Sequence, residues 1–282
     1  MSKRLFIKVK RENLPQLKDR YPFIYLERGR LEVDDSSVKW IDSEGEVVRI
    51  PCATLAALFL GPGTSVTHEA VKVLGASNCL LSWVGEDAMI YYASGQSPVA
   101  DTRKLRRQAA LSSNPKKALE VSRRLFSYRF PIEELNGKTL KEMMGLEGRR
   151  TRELYDRKAV EYGVGWKGRA YIPGKSELSD TANRILTASN AALYGIISAA
   201  IHGLGYSPHL GFIHSGSPLP FVYDIADLYK ERLCVDLAFM MTRELGGQYD
   251  RNRISAQFRE RVLSDHLLEQ LAPDIAAVLE ET

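Results

Sequence analysis

The sequence predicts an α+β fold: a β-rich, β-sandwich-like domain over residues 1–94, a linker at 95–101, and a larger all-α domain over 102–282. Three observations carry this reading. FIYLERGRLEV (23–33) and VKWIDSEGEVVRI (38–50) alternate apolar and polar residues, the period of half-buried strands. SGQSPVAD (94–101), with Gly95 and Pro98, breaks the pattern. Beyond it, apolar residues recur at three- and four-residue intervals, the period of helices.

Taken in order, SEGE (43–46) reads as the turn of a hairpin. CATLAALFLGPG (52–63) and CLLSWVGEDAMIYYAS (79–94) are apolar runs ended by glycine or polar residues, and THEAVKVLGAS (67–77) between them has the spacing of a short helix. After the linker, helices are expected at 102–112, 115–130, 140–162, 180–203, 224–245 and 252–281. GVGWKGRAYIPGKSEL (163–178), rich in glycine and polar residues, is expected to be a loop.

With 282 residues, 44% hydrophobic and 26% charged, the chain has ample material for a packed core. No run of about 18 apolar residues appears, so no membrane span is expected. The opening MSKRLFIKVKREN is too short and interrupted in its apolar stretch for a signal peptide. Cys52, Cys79 and Cys234 lie far apart in apolar contexts without a CxxC, which predicts buried free thiols and a cytoplasmic protein.

Net charge is only +4, yet residues 101–160 hold sixteen Lys or Arg against eight Asp or Glu. Such asymmetry points to a polyanion-binding surface, although a solvated helix face carries the same composition. The basic residues singled out are Arg103, Lys104, Arg106, Arg107, Arg123 and Arg124, with Arg149, Arg150 and Arg152 further on. Contacts of this kind, made to backbone phosphates, give affinity without sequence specificity.

The segment GFIHSGSPLPFVYDIADLYK (211–230) concentrates the candidate chemistry. Asp224 and Asp227, three apart in what reads as the first turn of a helix, share one face, and the Gly216–Pro218–Pro220 turn brings His214 back towards them. One imidazole with carboxylates suits Mg²⁺ or Mn²⁺ better than a closed zinc site. A capping aspartate, a solvated aspartate and a satisfied histidine are the plainer reading of the same residues. In MMGLEGRRTREL (143–154), Glu147 stands among Arg149, Arg150 and Arg152, with Gly145 and Gly148 permitting close backbone approach. A surface salt bridge is the alternative there. His68, His202, His209 and His266 lack acidic neighbours at ligand spacing and read as structural, and Tyr91, Tyr92 and Tyr223 read as packing residues before base-stacking ones.

Together GLEGRR (145–150), GFIHSG (211–216) and YDIADLYK (223–230), with LKDR (17–20) and SWVGEDAMIYYASG (82–95), resemble the conserved blocks of the CRISPR-associated adaptation integrase, the universal first Cas protein. The resemblance spans essentially the whole chain and is nearest to the type I-E (Cascade-type) branch. It implies that Glu147, His214 and Asp227 bind Mg²⁺ or Mn²⁺, with Asp224 assisting. It implies insertion of short DNA fragments into a CRISPR array by attack of a 3′-hydroxyl on a repeat-boundary phosphodiester. It further implies double-stranded and branched DNA as substrates, a homodimer, and a heterohexamer in which two dimers are bridged by a small ferredoxin-like second adaptation protein. Dimerisation and DNA-end contacts would fall to residues 1–94. No GxxxxGK[ST] loop is present, in keeping with an exchange of one phosphodiester for another. Two positions depart from close relatives: Arg28 stands where some carry a tyrosine, and Ile90 where some carry a basic residue. A stand-alone nuclease for branched DNA, or a non-catalytic DNA-binding scaffold, are the competing readings.

Overall fold

A computed structural model of the chain describes residues 14–34, 37–85, 91–95, 102–170 and 179–279. Ile90, the opening segment, the side chain of Tyr91, most of the linker and residues 171–178 lie outside the described residues.

The N-terminal part forms two four-stranded sheets. In the first, β1 (Tyr21–Leu26), β5 (Leu55–Leu60) and β7 (Leu80–Val84) run parallel, and β8 (Tyr91–Gly95) closes one edge antiparallel to β7. The second has the order β4 (Val47–Ile50), β3 (Ser37–Asp42), β2 (Gly29–Asp34), β6 (Thr64–Val66). Its β2–β3–β4 meander is antiparallel, with residues 43–46 turning between β3 and β4 as expected. Helix α1 (His68–Ala76) packs with it, started by the Thr67 side chain, which accepts from the Ala70 N–H.

The first sheet is a middle layer, which explains why β5 is apolar on both faces. Leu58, Leu60 and Leu81 pack with Leu31, Val38 and Trp40 of the second sheet, while Ala57, Phe59 and Leu80 join the helical core. Helix α6 (Thr181–Leu204) lies directly on β5: a Cβ at Gly195 would stand 2.2 Å from the Phe59 ring, so glycine sets that approach. By length and composition α6 could cross a membrane, but most of it is buried at the centre of the molecule. The first sheet and the helices thus share one core, and the sheet's other face forms a second with the second sheet and α1. Arg20 of the LKDR segment is buried and donates to the carbonyls of Leu55, Ser77 and Asn78, tying β1 to the start of β5 and the end of α1.

The helices that follow are α2 (Arg103–Ser112), α3 (Pro115–Ser127), the single turn α4 (Ile132–Leu135) and α5 (Leu140–Tyr162). Asn114 caps α3 ahead of a proline at its first turn, and Thr139 with Glu142 form a capping box on α5. Gly163, at φ 64°, ends α5 in the left-handed conformation that glycine favours.

Two helix expectations are corrected. The helix expected over 224–245 begins earlier, with Pro220 at its first turn, and is interrupted. It comprises α7 (Pro220–Ala226), a π-turn at Glu231–Val235, and α8 (Asp236–Glu244). Asp224 and Asp227 therefore lie at the end of α7, not in a first turn, so the N-terminal dipole does not stabilise them. The expected helix at 252–281 is two helices, α9 (Arg251–Ser264) and α10 (Leu267–Val278), parted at His266 with φ 53°. The three cysteines are free and buried as expected.

Candidate functional site

Glu147, His214 and Asp227 come from three places: mid-α5, the 211–214 loop, and the residue that ends α7. Gly211 lets the His214 loop come up against α7. A Cβ there would stand 2.5 Å from Pro220 Cβ and 2.7 Å from its carbonyl carbon, so only glycine lets the loop lie against the start of α7.

The fully buried Asp224 then fixes that loop. Its carboxylate accepts from the backbone N–H groups of Phe212 (2.6 Å), Ile213 (3.3 Å) and His214 (3.1 Å), and Oδ1 pairs with His214 Nδ1 at 2.8 Å. A carboxylate at Nδ1 places the proton there and leaves the Nε2 lone pair of the neutral ring facing outward. His214 Nε2 stands 3.6 Å from Asp227 Oδ2, and the ring meets Tyr223 edge-on. Asp224 thus supports the imidazole from behind and does not itself reach the open side.

Two cations complete the cluster. Lys230 Nζ lies 2.7 Å from Asp227 Oδ1. Arg129, in the turn after α3, pairs through Nη1 with Glu147 Oε1 and stands 3.9 Å from Asp227 Oδ2. Burial, reinforced by the Asp227 charge, pushes the Glu147 carboxyl above its usual range against the pull of Arg129. Burial acts on Asp227 in the same sense, but Lys230, Arg129 and His214 together hold it below the usual carboxylate range. Burial lowers His214, yet the Asp224 hydrogen bond and the Asp227 charge leave it raised.

The donor set, two carboxylates and one imidazole with its far nitrogen oriented by a buried acid, fits a hard divalent cation. Among the described residues, however, no three His, Cys, Asp or Glu side chains are already gathered for a metal ion. The Arg129 guanidinium stands between the two carboxylates.

The basic residues divide. Arg103, Arg106, Arg149 and Arg152 are exposed. Lys104 lies over the Tyr206 ring. Arg107 and Arg124 donate to the carbonyls of Leu279 (3.2 Å) and Val278 (2.7 Å), clamping the end of α10, and Arg123 donates to Lys138. Arg150 bonds Glu231 at 2.8 Å and the Arg129 carbonyl, which makes it part of the site's frame. Gly145 and Gly148 face open space, leaving the α5 backbone bare on either side of Leu146–Glu147. Arg28 is exposed in the β1–β2 turn with φ 57°. His209 Nδ1 meets the Pro218 carbonyl at 3.0 Å, and His266 pairs with Glu269, so both have structural partners. Sequence reasoning passed over Arg129 and Lys230. Lys230, three residues after Asp227, was readable from helical spacing. Arg129, eighteen residues before Glu147, leaves no local signal.

Comparison with known proteins places this geometry in context. A family profile described as CRISPR associated protein Cas1 matches residues 127–251, the span that holds Glu147, His214, Asp224 and Asp227. The chain is 60% identical to CRISPR-associated endonuclease Cas1 2 of Chlorobaculum tepidum, over 98% of this chain and 93% of that protein. It is similar to the protein in the crystal structure of a TtCas1–DNA complex, with TM-score 0.68 and 40% identity, over 95% of this chain and all of that one. A chain of a Cas6-RT-Cas1–Cas2 complex shares the fold, with TM-score 0.69 and 16% identity, over 94% of this chain and 36% of its own length.

Proposed function

The chain belongs to the Cas1 family of CRISPR-associated proteins, and from that premise we propose that it is a divalent-metal-dependent DNA integrase and endonuclease of CRISPR adaptation. The observation that carries the proposal is that Arg129 links Glu147 to Asp227, whose Oδ2 also faces His214 Nε2 at 3.6 Å, while Asp224 holds His214 Nδ1.

Glu147, Asp227 and His214 Nε2 would hold the Mg²⁺ or Mn²⁺. When bound, the ion supplies Lewis-acid stabilisation of the charge that develops on a phosphate during transesterification. The chain's own residues do the rest. Asp224 keeps the proton on Nδ1 and the 211–214 loop in place. Lys230 holds Asp227 ionised through its other oxygen. The exposed Arg149 and Arg152, on the bare face of α5, take up phosphates of the strand approaching Glu147. Arg103 and Arg106 extend that contact along the duplex, while Arg107, Arg123 and Arg124 act largely through the fold.

From the whole-chain resemblance, the protein is proposed to belong to the type I-E branch and to form a homodimer bridged to a second dimer by a small ferredoxin-like second adaptation protein. Residues 1–94 form the dimerisation and DNA-end part, and the exposed Arg28 sits at a DNA-end position there. The relatives' names support the CRISPR endonuclease part of the reading, the DNA in the TtCas1 complex supports DNA as substrate, and the Cas6-RT-Cas1–Cas2 complex supports a second adaptation protein as partner.

The test is a branched DNA that mimics the half-integrated product, incubated with Mn²⁺ or EDTA beside Glu147→Ala and His214→Ala. Release of the flap with rejoining of the strand, lost in EDTA and in both variants, is the expected result. Cutting without rejoining would make the chain a branched-DNA nuclease, and binding without reaction would make it a scaffold.

A further inference from the structure

Asp227 presents two oxygens to two different cations. Oδ1 is held by Lys230 at 2.7 Å, whereas Oδ2 faces both His214 Nε2 at 3.6 Å and Arg129 Nη1 at 3.9 Å. The same Nη1 is the atom paired with Glu147 Oε1. One nitrogen of one guanidinium therefore sits between two of the three donors that a metal ion would join, and the third, His214 Nε2, faces the same Asp227 oxygen, while Lys230 holds the other one.

Arg129 is held in an uneven way. Its backbone is fixed, since its N–H donates to the Phe126 carbonyl at 2.9 Å and its own carbonyl accepts from Arg150. Its guanidinium lies 5.5 Å over the Phe126 ring. Yet Nε and Nη2 are buried with no hydrogen-bond partner among the described residues. A guanidinium has five N–H donors in a fork that matches a phosphate, and here only the Nη1 corner is engaged. Leaving buried donors unmade is costly, so an anion that engaged the rest of this fork would be favoured.

We infer that Arg129 is the resident cation of this site, that a divalent metal enters by displacing it from Glu147 and Asp227, and that the displaced guanidinium passes to a phosphate of the bound DNA. The inference rests on the proposed metal role of Glu147, His214 and Asp227. Electrostatics require the exchange. A divalent ion and a guanidinium a few ångströms apart, in a half-buried site, repel strongly, and the two carboxylates cannot serve both at full strength. The phosphate gives the fork the anion it loses when the carboxylates turn to the metal. Metal and DNA then favour each other's binding, and by linkage the coupling is reciprocal.

The test uses the full chain and reads binding, not turnover. Mn²⁺ affinity of the DNA-free protein is measured by electron paramagnetic resonance for wild type, Arg129→Gln and Arg129→Lys. Removing the competing cation is expected to tighten Mn²⁺ binding about tenfold in Arg129→Gln. Arg129→Lys, a cation of shorter reach, falls between, and it answers the question alone if the Gln variant does not fold. Fluorescence anisotropy with labelled duplex DNA gives the second half. In EDTA, wild type and Arg129→Gln bind DNA equally, and Mn²⁺ raises the affinity of wild type more. Mn²⁺ binding that is unchanged or weaker in both variants overturns the inference while leaving the metal site standing. So does an equal loss of DNA affinity with and without Mn²⁺. If no protein binds Mn²⁺, wild type included, the metal reading fails and this inference with it.

Discussion

At the scale of single residues, Asp224 shows how a buried charge is made tolerable and useful at once. It accepts from three successive backbone N–H groups and from His214, which together compensate its charge. Asp224→Ala strands those donors in a buried place. At about 1–3 kcal/mol for each unsatisfied group, it is expected to lower the unfolding free energy severely, as read by denaturant titration. Asp224→Asn keeps the shape but weakens the acceptor at Nδ1, and is expected to reduce Mn²⁺ affinity by about 10–100-fold with a smaller loss of stability. His202 gives a pH prediction of definite sign. Burial holds its folded pKa down to about 4, below the ordinary 6.5. Between those values the unfolded chain binds the proton and the folded chain does not, so stability falls as pH drops from about 6.5 towards 4. His202→Gln is expected to flatten that part of the curve, and an unchanged slope would assign the acid sensitivity elsewhere.

At the scale of elements, two glycines and two arginines set what the helices do. Gly211→Ala drives a Cβ into Pro220 and shifts the 211–214 loop, so strand transfer is expected to fall far more than stability. Gly195→Ala meets the Phe59 ring and is expected to cost about 1–3 kcal/mol, as overpacked cores do. Arg107 and Arg124 hold the end of α10, and their joint replacement by alanine is expected to speed hydrogen exchange in that helix. Arg103→Ala with Arg106→Ala is expected instead to weaken DNA binding. The helices themselves were legible where capping and periodicity agree: α5 runs over the residues its pattern predicts, between Thr139 and Gly163. They were misread where tertiary packing interrupts the pattern. The apolar face of 220–244 continues through the break at Asp227 and the π-turn, so periodicity alone shows one helix. The π-turn begins at Glu231, right after Lys230 at the site, where such bulges are often found.

At the scale of the whole molecule, the alternation in residues 23–50 foretold strands, and the change in pattern after residue 101 foretold the helical part. What it did not foretell is that Phe23, Ala57, Phe59 and Leu80 pack into the helical core, because contacts between distant segments leave no mark in local spacing. The same reason hid Arg129 while leaving Glu147, His214 and the two aspartates visible as short motifs. The exposed Arg149 and Arg152 predict that their joint replacement by alanine reduces the slope of log affinity against log salt by about two, since each gives up roughly one phosphate contact.

The central claim is that three residues from separate elements hold one catalytic metal. Anomalous diffraction from crystals soaked in MnCl₂ tests it most directly. A single strong peak coordinated by Glu147, Asp227 and His214 Nε2 is expected, with Arg129 moved off the carboxylates. A peak that avoids these three residues, or none at saturating Mn²⁺, would contradict it.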